Sequence, residues 1–361
     1  MKKYAFFLPQ FHRIPENDEW WGEGFTEWTN VKAALPLYKN HKQPQKPLND
    51  NYYNLLDKET VQWQTQLMKD HHVDGMIYYH YFFNGKLLLE KPAQNLLKWK
   101  DIDQKFFFCW ANHSWRRTWQ GSQQILLEQT YGDEQNWNEH FNYLLKFFKD
   151  MRYEKRHNKP VFMIFNSDFQ EKKAMFDFFD LKCRENGFDG LCLIETYIGN
   201  GWMKNFDGFL RNLCEQTEFS FLREPGFAIN LYWRSIKFTP MRIIRKIKKE
   251  LLKKGIDSCV ETYDGDRLYF SMKKYFDNRA TFVRGLFFEW DNTPRHSSRG
   301  FIITPPSKKS FFEYMNLHKY DEYMFINAWN EWAEGMMLEP TEQNGFKYLE
   351  WIKEWSIVSG L

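Results

Sequence analysis

Residues 323–335 read Tyr-Met-Phe-Ile-Asn-Ala-Trp-Asn-Glu-Trp-Ala-Glu-Gly. An apolar run of strand length passes directly into Asn330, Glu331 and Glu334, set among tryptophans. The run has the length and aromatic content of a buried strand, so its polar residues fall at the strand's C-terminal end. The same grammar recurs along the chain. Candidate strands at Tyr4–Leu8, Gly75–Tyr81, Phe106–Ala111, Val161–Phe165, Gly190–Thr196, Leu286–Trp290 and Tyr323–Trp329 are separated by helical patterns. Two of those patterns are 136–149, and 170–186 closed by Gly187. An eighth strand is faintly marked at Glu218–Leu222. Strand–helix alternation over a whole chain means a parallel sheet with covered faces. Most strand ends carry polar and aromatic residues: Gln10 and His12, His80 and Tyr81, Trp110 and Asn112, Glu195 and Tyr197, Trp290 and Asp291, Asn330 and Glu331. Barrel enzymes build their active site at that end. No Gly-rich phosphate turn follows the first strand, which argues against an open nucleotide-binding sheet. The expected fold is α/β: one (β/α)8 TIM barrel with loop insertions, residues 1–361 forming a single catalytic domain.

The bulk numbers fit that reading. A chain of 361 residues holds a barrel of roughly 250 plus insertions. Lys and Arg number 50 against 47 Asp and Glu, a net charge of +3, too balanced for a dedicated nucleic-acid binder. Aromatic residues make up 19%, and many of the 16 Trp sit beside Gly, Asn, Glu or Arg. Such Trp suit a sugar site, where a ring covers the C–H face and polar groups bind hydroxyls, although an aromatic core would give the same count. Five Cys, odd in number and without a CxxC pair, fit a reducing compartment better than a disulfide framework or a zinc site. The apolar start is stopped by Pro9, Gln10 and His12 before a signal sequence forms, and no run reaches the roughly 20 apolar residues of a membrane span. A cytoplasmic protein is expected. Residues 225–280 are expected to be an insertion with a basic amphipathic helix. Within it, 234–254 holds nine basic residues and one acid, Glu250. That helix either rests weakly on anionic lipid or is a solvated surface helix.

Four constellations carry candidate chemistry. Glu331 and Glu334 are three apart, so a helical turn after the strand brings both carboxylates to one side. Flanking Trp would lower the local dielectric, raise one carboxyl pKa and leave the other ionised, giving an acid and a base for a glycosidic bond. A pair of helix-start glutamates stabilised by the dipole would have the same spacing. The loop 20–30, with Glu27 and Trp28, is dense in aromatics, Gly and carboxylates, as a ligand-contacting loop is. In 110–119, Asn112 can both donate to and accept from a sugar hydroxyl. In 289–295, Asp291 and Arg295 either contact sugar or brace their loop. Ten His form no metal pattern, and neither HExxH nor GxSxG is present, so no metal is assigned.

Together the segments FLPQFHRIPENDEWWGEGFTEWTNV (7–31), FFCWANHSWRRTWQG (107–121), EWDNTPR (289–295) and NAWNEWAEGMMLEP (327–340) resemble the WbsX-like family of bacterial surface-polysaccharide clusters, described as glycosyltransferases. That family is similar in turn to glycoside hydrolase family 99, the endo-α-mannosidases. The resemblance implies a retaining barrel enzyme in which Glu331 removes the proton of the sugar 2-hydroxyl. The freed oxygen displaces the leaving group through a 1,2-anhydro sugar, and Glu334 protonates the departing oxygen. This is a substrate-assisted departure from the usual nucleophilic carboxylate, and it needs no cofactor. The sequence departs from the pattern at His113, where a Glu is usual, at Gln120, where an Asp is common, and at Glu289, which replaces a small residue. These positions alter the charge facing bound sugar.

The leading expectation is an enzyme cleaving or transferring an α-linked, mannoside-like bond of a bacterial surface polysaccharide, free or lipid-linked. The substrate contacts expected are Gln10, His12, Glu27, Trp28, His80, Tyr81, Trp110, Asn112, Asp291, Arg295 and Asn330. The alternatives are a glycosyltransferase of O-antigen or capsule assembly using a sugar donor, and a catalytically silent sugar-binding barrel. A donor-dependent enzyme would need a phosphate loop or a DxD site, for which only Asp101-Ile102-Asp103 and Asp264-Gly265-Asp266 offer themselves.

Overall fold

Eight apolar runs form eight parallel strands in the computed structural model, which describes residues 1–117, 124–198, 206–235, 243, 247, 260–275 and 281–361. They are β1 (Lys2–Phe7), β2 (Gly75–Phe83), β3 (Phe106–Trp110), β4 (Lys159–Ile164), β5 (Cys192–Tyr197), β6 (Thr217–Leu222), β7 (Phe282–Phe287) and β8 (Tyr323–Asn327). Each pairs with the next, and β1 pairs with both β2 and β8, so the sheet closes on itself. In register, Tyr4 lies between Gly75 and Phe325. Helices outside the ring include Lys58–Asp70, Lys91–Lys98, Glu134–Phe148, Lys172–Glu185, Lys308–Leu317 and Lys347–Ser359. The protein is a (β/α)8 TIM barrel.

The faint eighth strand is real, and β7 begins four residues earlier than its sequence signal. The earlier part, Phe282-Val283-Arg284-Gly285, mixes a charge and a glycine into the run and so hides it. Trp290 belongs elsewhere: Trp290–Asp291 pairs with Phe301–Ile303, which pairs with Glu261–Tyr263 in a small separate sheet. Between β6 and β7 the described elements are the helix Gly226–Ser235, the strand Glu261–Tyr263 and the helix Gly265–Lys274. The basic segment 234–254, apart from Arg234, Ser235, Ile243 and Ile247, lies outside the described residues, as do Gln120 and Cys259. The other four cysteines are buried free thiols. Among the described residues no helix is long and apolar enough to cross a membrane.

Aromatic rings fill the bore. Tyr4 meets Phe107 at 5.1 Å, Phe6 meets Phe221 and Tyr79 at 5.5 and 5.4 Å, and Phe325 meets Phe107 and Phe221 at 5.6 and 5.2 Å. Room for Tyr4 depends on Gly75, where a Cβ would stand 2.3 Å from the tyrosine ring. Below these rings Glu154 accepts hydrogen bonds from Lys2, Tyr4 and Tyr323 and closes the N-terminal end. The barrel is a packed core, and the free space lies at the C-terminal mouth.

Candidate active site

The segment after β8 is built as a rigid shelf across the mouth. Asn330 ties it to β1: its Oδ1 accepts from the Leu8 N–H at 2.7 Å and its Nδ2 donates to the Leu8 carbonyl at 3.0 Å. Glu331 then pairs with Met336, and Trp332–Glu334 form one 3-10 turn. The turn closes on Gly335 in the left-handed region (φ 59°), where a Cβ would lie 2.9 Å from the backbone of Asp291. The indoles of Trp329 and Trp332 do not wall the cleft. They point under the shelf and donate to Glu339 at 2.9 and 2.6 Å, where Tyr53 and Gln64 donate as well, at 2.8 and 2.7 Å. Burial pushes Glu339 up to about 7, against those four bonds.

This shelf presents Glu331 and Glu334 to one cation. Arg295 Nη1 donates to Glu334 at 2.6 Å, Nη2 lies 3.7 Å from Glu331, and Nη2 also donates to buried Glu27. Glu27 additionally accepts from the Ala333 N–H at 3.3 Å, fixing the turn from the other side. Three carboxylates thus share one guanidinium. Burial, followed by the charge of Glu334, lifts Glu331 to about 8, with Arg295 opposing. Its Oε2 is buried without a hydrogen-bond partner, while Glu334 keeps 20% of its side chain exposed. The two carboxyls therefore differ: one is recessed and holds a proton near neutrality, and the other faces the opening.

That opening is a cleft of about 550 Å³, within the range of small-ligand pockets. Its lining includes Glu27, Arg295 and Glu334 together with Gln10, Trp21, His113, Trp115 and Arg116. Tyr79 and Tyr81 rise from β2 close enough for the charge of Glu331 to raise both hydroxyls further above their burial-raised pKa values.

Gln10, Glu27, Tyr81, Arg295, Glu331 and Glu334 thus gather at the mouth, and seven other predicted residues do not. His80 points to the helix layer and shares a 2.8 Å contact with His140, burial pushing its pKa down to about 3. Trp110 faces the same layer, its indole on the Phe82 carbonyl at 3.1 Å. Trp28 donates to the Tyr53 carbonyl at 2.8 Å and packs on Trp332. Asn112 spends both ends of its amide on Asn166, at 2.8 and 2.6 Å. Asp291 is saturated by His41, Gln43 and Thr293, so it braces its loop. Asn330 is the β1 tie described above, and His12 is buried outside the cleft lining. Except at His12, whose ring nitrogens are buried without a hydrogen-bond partner, an alternating side-chain direction or an internal partner withdraws the group from solvent. Neither DxD string is poised as an ion site: Asp101 and Asp103 pair with Lys58 and Lys69, and Asp264 caps a helix. Two further residues near the carboxylates, Tyr79 and Arg223, carry no signal in the sequence: Tyr79 lies inside a strand buried on both faces, and Arg223 follows the faint β6.

The family model described as Glycosyltransferase WbsX matches residues 3–352. The chain belongs to the WbsX glycosyltransferase family. Among its relatives are two proteins called Uncharacterized protein WxcX, from Xanthomonas campestris pv. campestris strains B100 and ATCC 33913. Each is 29% identical over 357 residues, covering 96% of this chain and 48% of the relative. The WbsX chain therefore spans about half the length of the curated relatives it matches. Its fold is similar to that of the GH99 endo-α-mannosidase from Bacteroides thetaiotaomicron, with a TM-score of 0.53, 12% identity, and 99% and 97% of the two chains covered. It is similar also to a structure called Glycoside hydrolase-like protein, with a TM-score of 0.57, 12% identity, and 98% and 93% covered. At that identity the likeness shows the fold. Family and fold together place a WbsX glycosyltransferase-family sequence on a TIM barrel.

Proposed function

We propose that this barrel acts at the anomeric carbon of an α-linked, mannoside-like sugar in a bacterial surface polysaccharide, with Glu331 and Glu334 as the reacting carboxyls. The observation that carries this reading is the sharing of Arg295 by both carboxyls at the foot of the cleft, 2.6 and 3.7 Å away. With Glu27 counted, three carboxylates share one guanidinium at contact distance, with Arg223 attracting Glu331 and Glu334 from further off. Crowding of this kind favours keeping one proton in the group, which acid–base chemistry requires. In the forward step Glu331 takes the proton of the sugar 2-hydroxyl and O2 attacks C1. The bond from C1 to the glycosidic oxygen breaks as Glu334 protonates that oxygen. Water or another sugar hydroxyl then opens the 1,2-anhydro ring at C1, losing its proton to Glu334 while O2 regains one from Glu331. Two inversions give retention.

A second reading exchanges the roles, and the burial of Glu331, which pushes its pKa up to about 8, favours it. The first reading answers that a carboxylate with high proton affinity is the stronger base once substrate has moved the proton. Leaving-group ability separates them. Glu331→Gln and Glu334→Gln are assayed by mass on α-mannan-type oligosaccharides and on the matching α-glycosyl fluorides. A fluoride needs little protonation, so the variant that stays active on it has lost the acid, and the silent one has lost the base. Elongation that depends on a nucleotide sugar would overturn both readings in favour of a donor-dependent transferase. Unimpaired glycan binding with no turnover of any glycan would leave a sugar-binding barrel.

A further inference from the structure

Charge is distributed unevenly around the mouth. At Glu27 a single cation serves three carboxylates. Arg223, just past the end of β6, has no carboxylate in ion-pair contact among the described residues. Its polar contact is one 3.4 Å approach of Nη2 to the Tyr79 hydroxyl. Its guanidinium lies 4.4 Å from the centre of the Phe165 ring, and its Nε is buried without an acceptor. Glu331 and Glu334 attract it from further off, but both are engaged by Arg295. His113, on the cleft wall, packs against the same Phe165 ring at 5.0 Å, and its loop also brings Arg116 to the cleft. A guanidinium carries five donors in a planar fork suited to two oxygens of one oxyanion, and a buried donor left unmade is costly.

We propose that Arg223, with Phe165 beneath it and His113 and Tyr79 beside it, is a subsite for an oxyanion carried by the bound glycan. That group is the carboxylate of an acidic sugar or a phosphate ester. The proposal deepens the reading above and rests on it for the cleft being a glycan site. A guanidinium stacked on a ring leaves its edge for in-plane acceptors, and a uronate or phosphate fills that edge where a neutral hydroxymethyl group offers one weak acceptor. The substrate is therefore an acidic polysaccharide, or a sugar entering with its phosphate still attached.

The test reads binding by calorimetry on the full chain, independently of turnover. The probes are an oligosaccharide of mannose and glucuronic acid, its carboxyl-reduced counterpart, mannose 1-phosphate and mannose. Wild type is expected to bind the acidic member of at least one pair about tenfold or more tighter than the neutral one. Arg223→Gln should bring that ratio to within about twofold of unity. Arg223→Lys, which keeps the charge and loses the fork, should fall between. Because Arg223 is packed in the barrel wall, His113→Glu gives a second reading from the cleft surface: its carboxylate occupies the guanidinium and abolishes the preference. Discrimination of the uronate pair identifies an acidic sugar, and discrimination of the phosphate pair alone identifies an activated sugar. Equal binding within both pairs, binding of none of the probes, or an Arg223→Gln variant that weakens both members by the same factor overturns the proposal. Preserved discrimination with no turnover of any glycan would instead sink the catalytic reading and leave this one standing.

Discussion

Arg295 is the residue on which most of the site's electrostatics rests. Replacing it with Gln leaves Glu27, Glu331 and Glu334 facing one another without a cation. Breaking a buried pair of this kind costs about 3–5 kcal/mol, and the loss should grow as pH rises and the carboxyls are forced to ionise. Urea unfolding at pH 6 and pH 8 would measure it, and an Arg295→Gln midpoint equal to wild type at both would contradict the description. The wild type has a pH dependence of its own. Glu331 and Glu224 are pushed up to about 8 and Glu339 to about 7, in each case chiefly by burial, from an ordinary 4.5. Their folded forms hold protons that the unfolded chain releases. The stability they contribute is full below about pH 4.5 and is lost as pH climbs through 7 to 8. Asp150, held well below the usual carboxylate range by its arginine and lysine partners against burial, acts only at the acid end and does not offset this. Thermal melting should therefore fall between pH 5.5 and 8.5, and Glu224→Gln should flatten that slope.

At the scale of elements, the stretch 327–341 works as one braced unit. Glu339 accepts from two tryptophans, a tyrosine and a glutamine, so Glu339→Gln turns an amide N–H₂ toward donors and strands at least one of them. A buried unsatisfied donor costs about 1–3 kcal/mol, and the Trp332 that shifts is the neighbour of Glu331. The variant should lose both stability and turnover, read by denaturant midpoint and by the oligosaccharide assay. Gly335→Ala asks for a Cβ at 2.9 Å from Asp291 backbone at a positive φ. It should cost on the order of 1–3 kcal/mol by the same midpoint. The elements also explain what could be read in advance. Seven strands and the helices 134–148 and 172–185 announce themselves by period, whereas side-chain direction does not. All nine residues of β2 are buried, because one face meets the bore and the other the helices. In such a strand the parity of His80 against Tyr79 and Tyr81 is invisible, so the sequence singles out His80 and passes over Tyr79. Glu331, Glu334 and Arg295 are legible because each stands in a polar, aromatic stretch just past a strand, and Glu27 because it opens a helix within the Trp- and Gly-rich segment 20–30. Arg223 stands in the same kind of place, but its strand opens on Thr217 and Glu218 and gives too faint a signal.

Across the whole molecule the barrel follows from alternation and size, and its stability from an aromatic bore. Phe325 touches Phe6, Phe107, Phe221 and Tyr323, so Phe325→Ala opens a cavity that four rings cannot easily collapse. A loss of about 3–5 kcal/mol is expected, with the folded state retained by circular dichroism at low temperature. A loss below about 1 kcal/mol would mean that the bore is loosely packed. The closed bore, sealed by Glu154 below, also fixes the traffic of the cleft. No sugar chain can be threaded through the barrel, so whatever the mouth admits must back out by the same door. If the proposed reaction runs there, departing product and arriving substrate contend for a single vestibule, and product inhibition of the competitive type is expected.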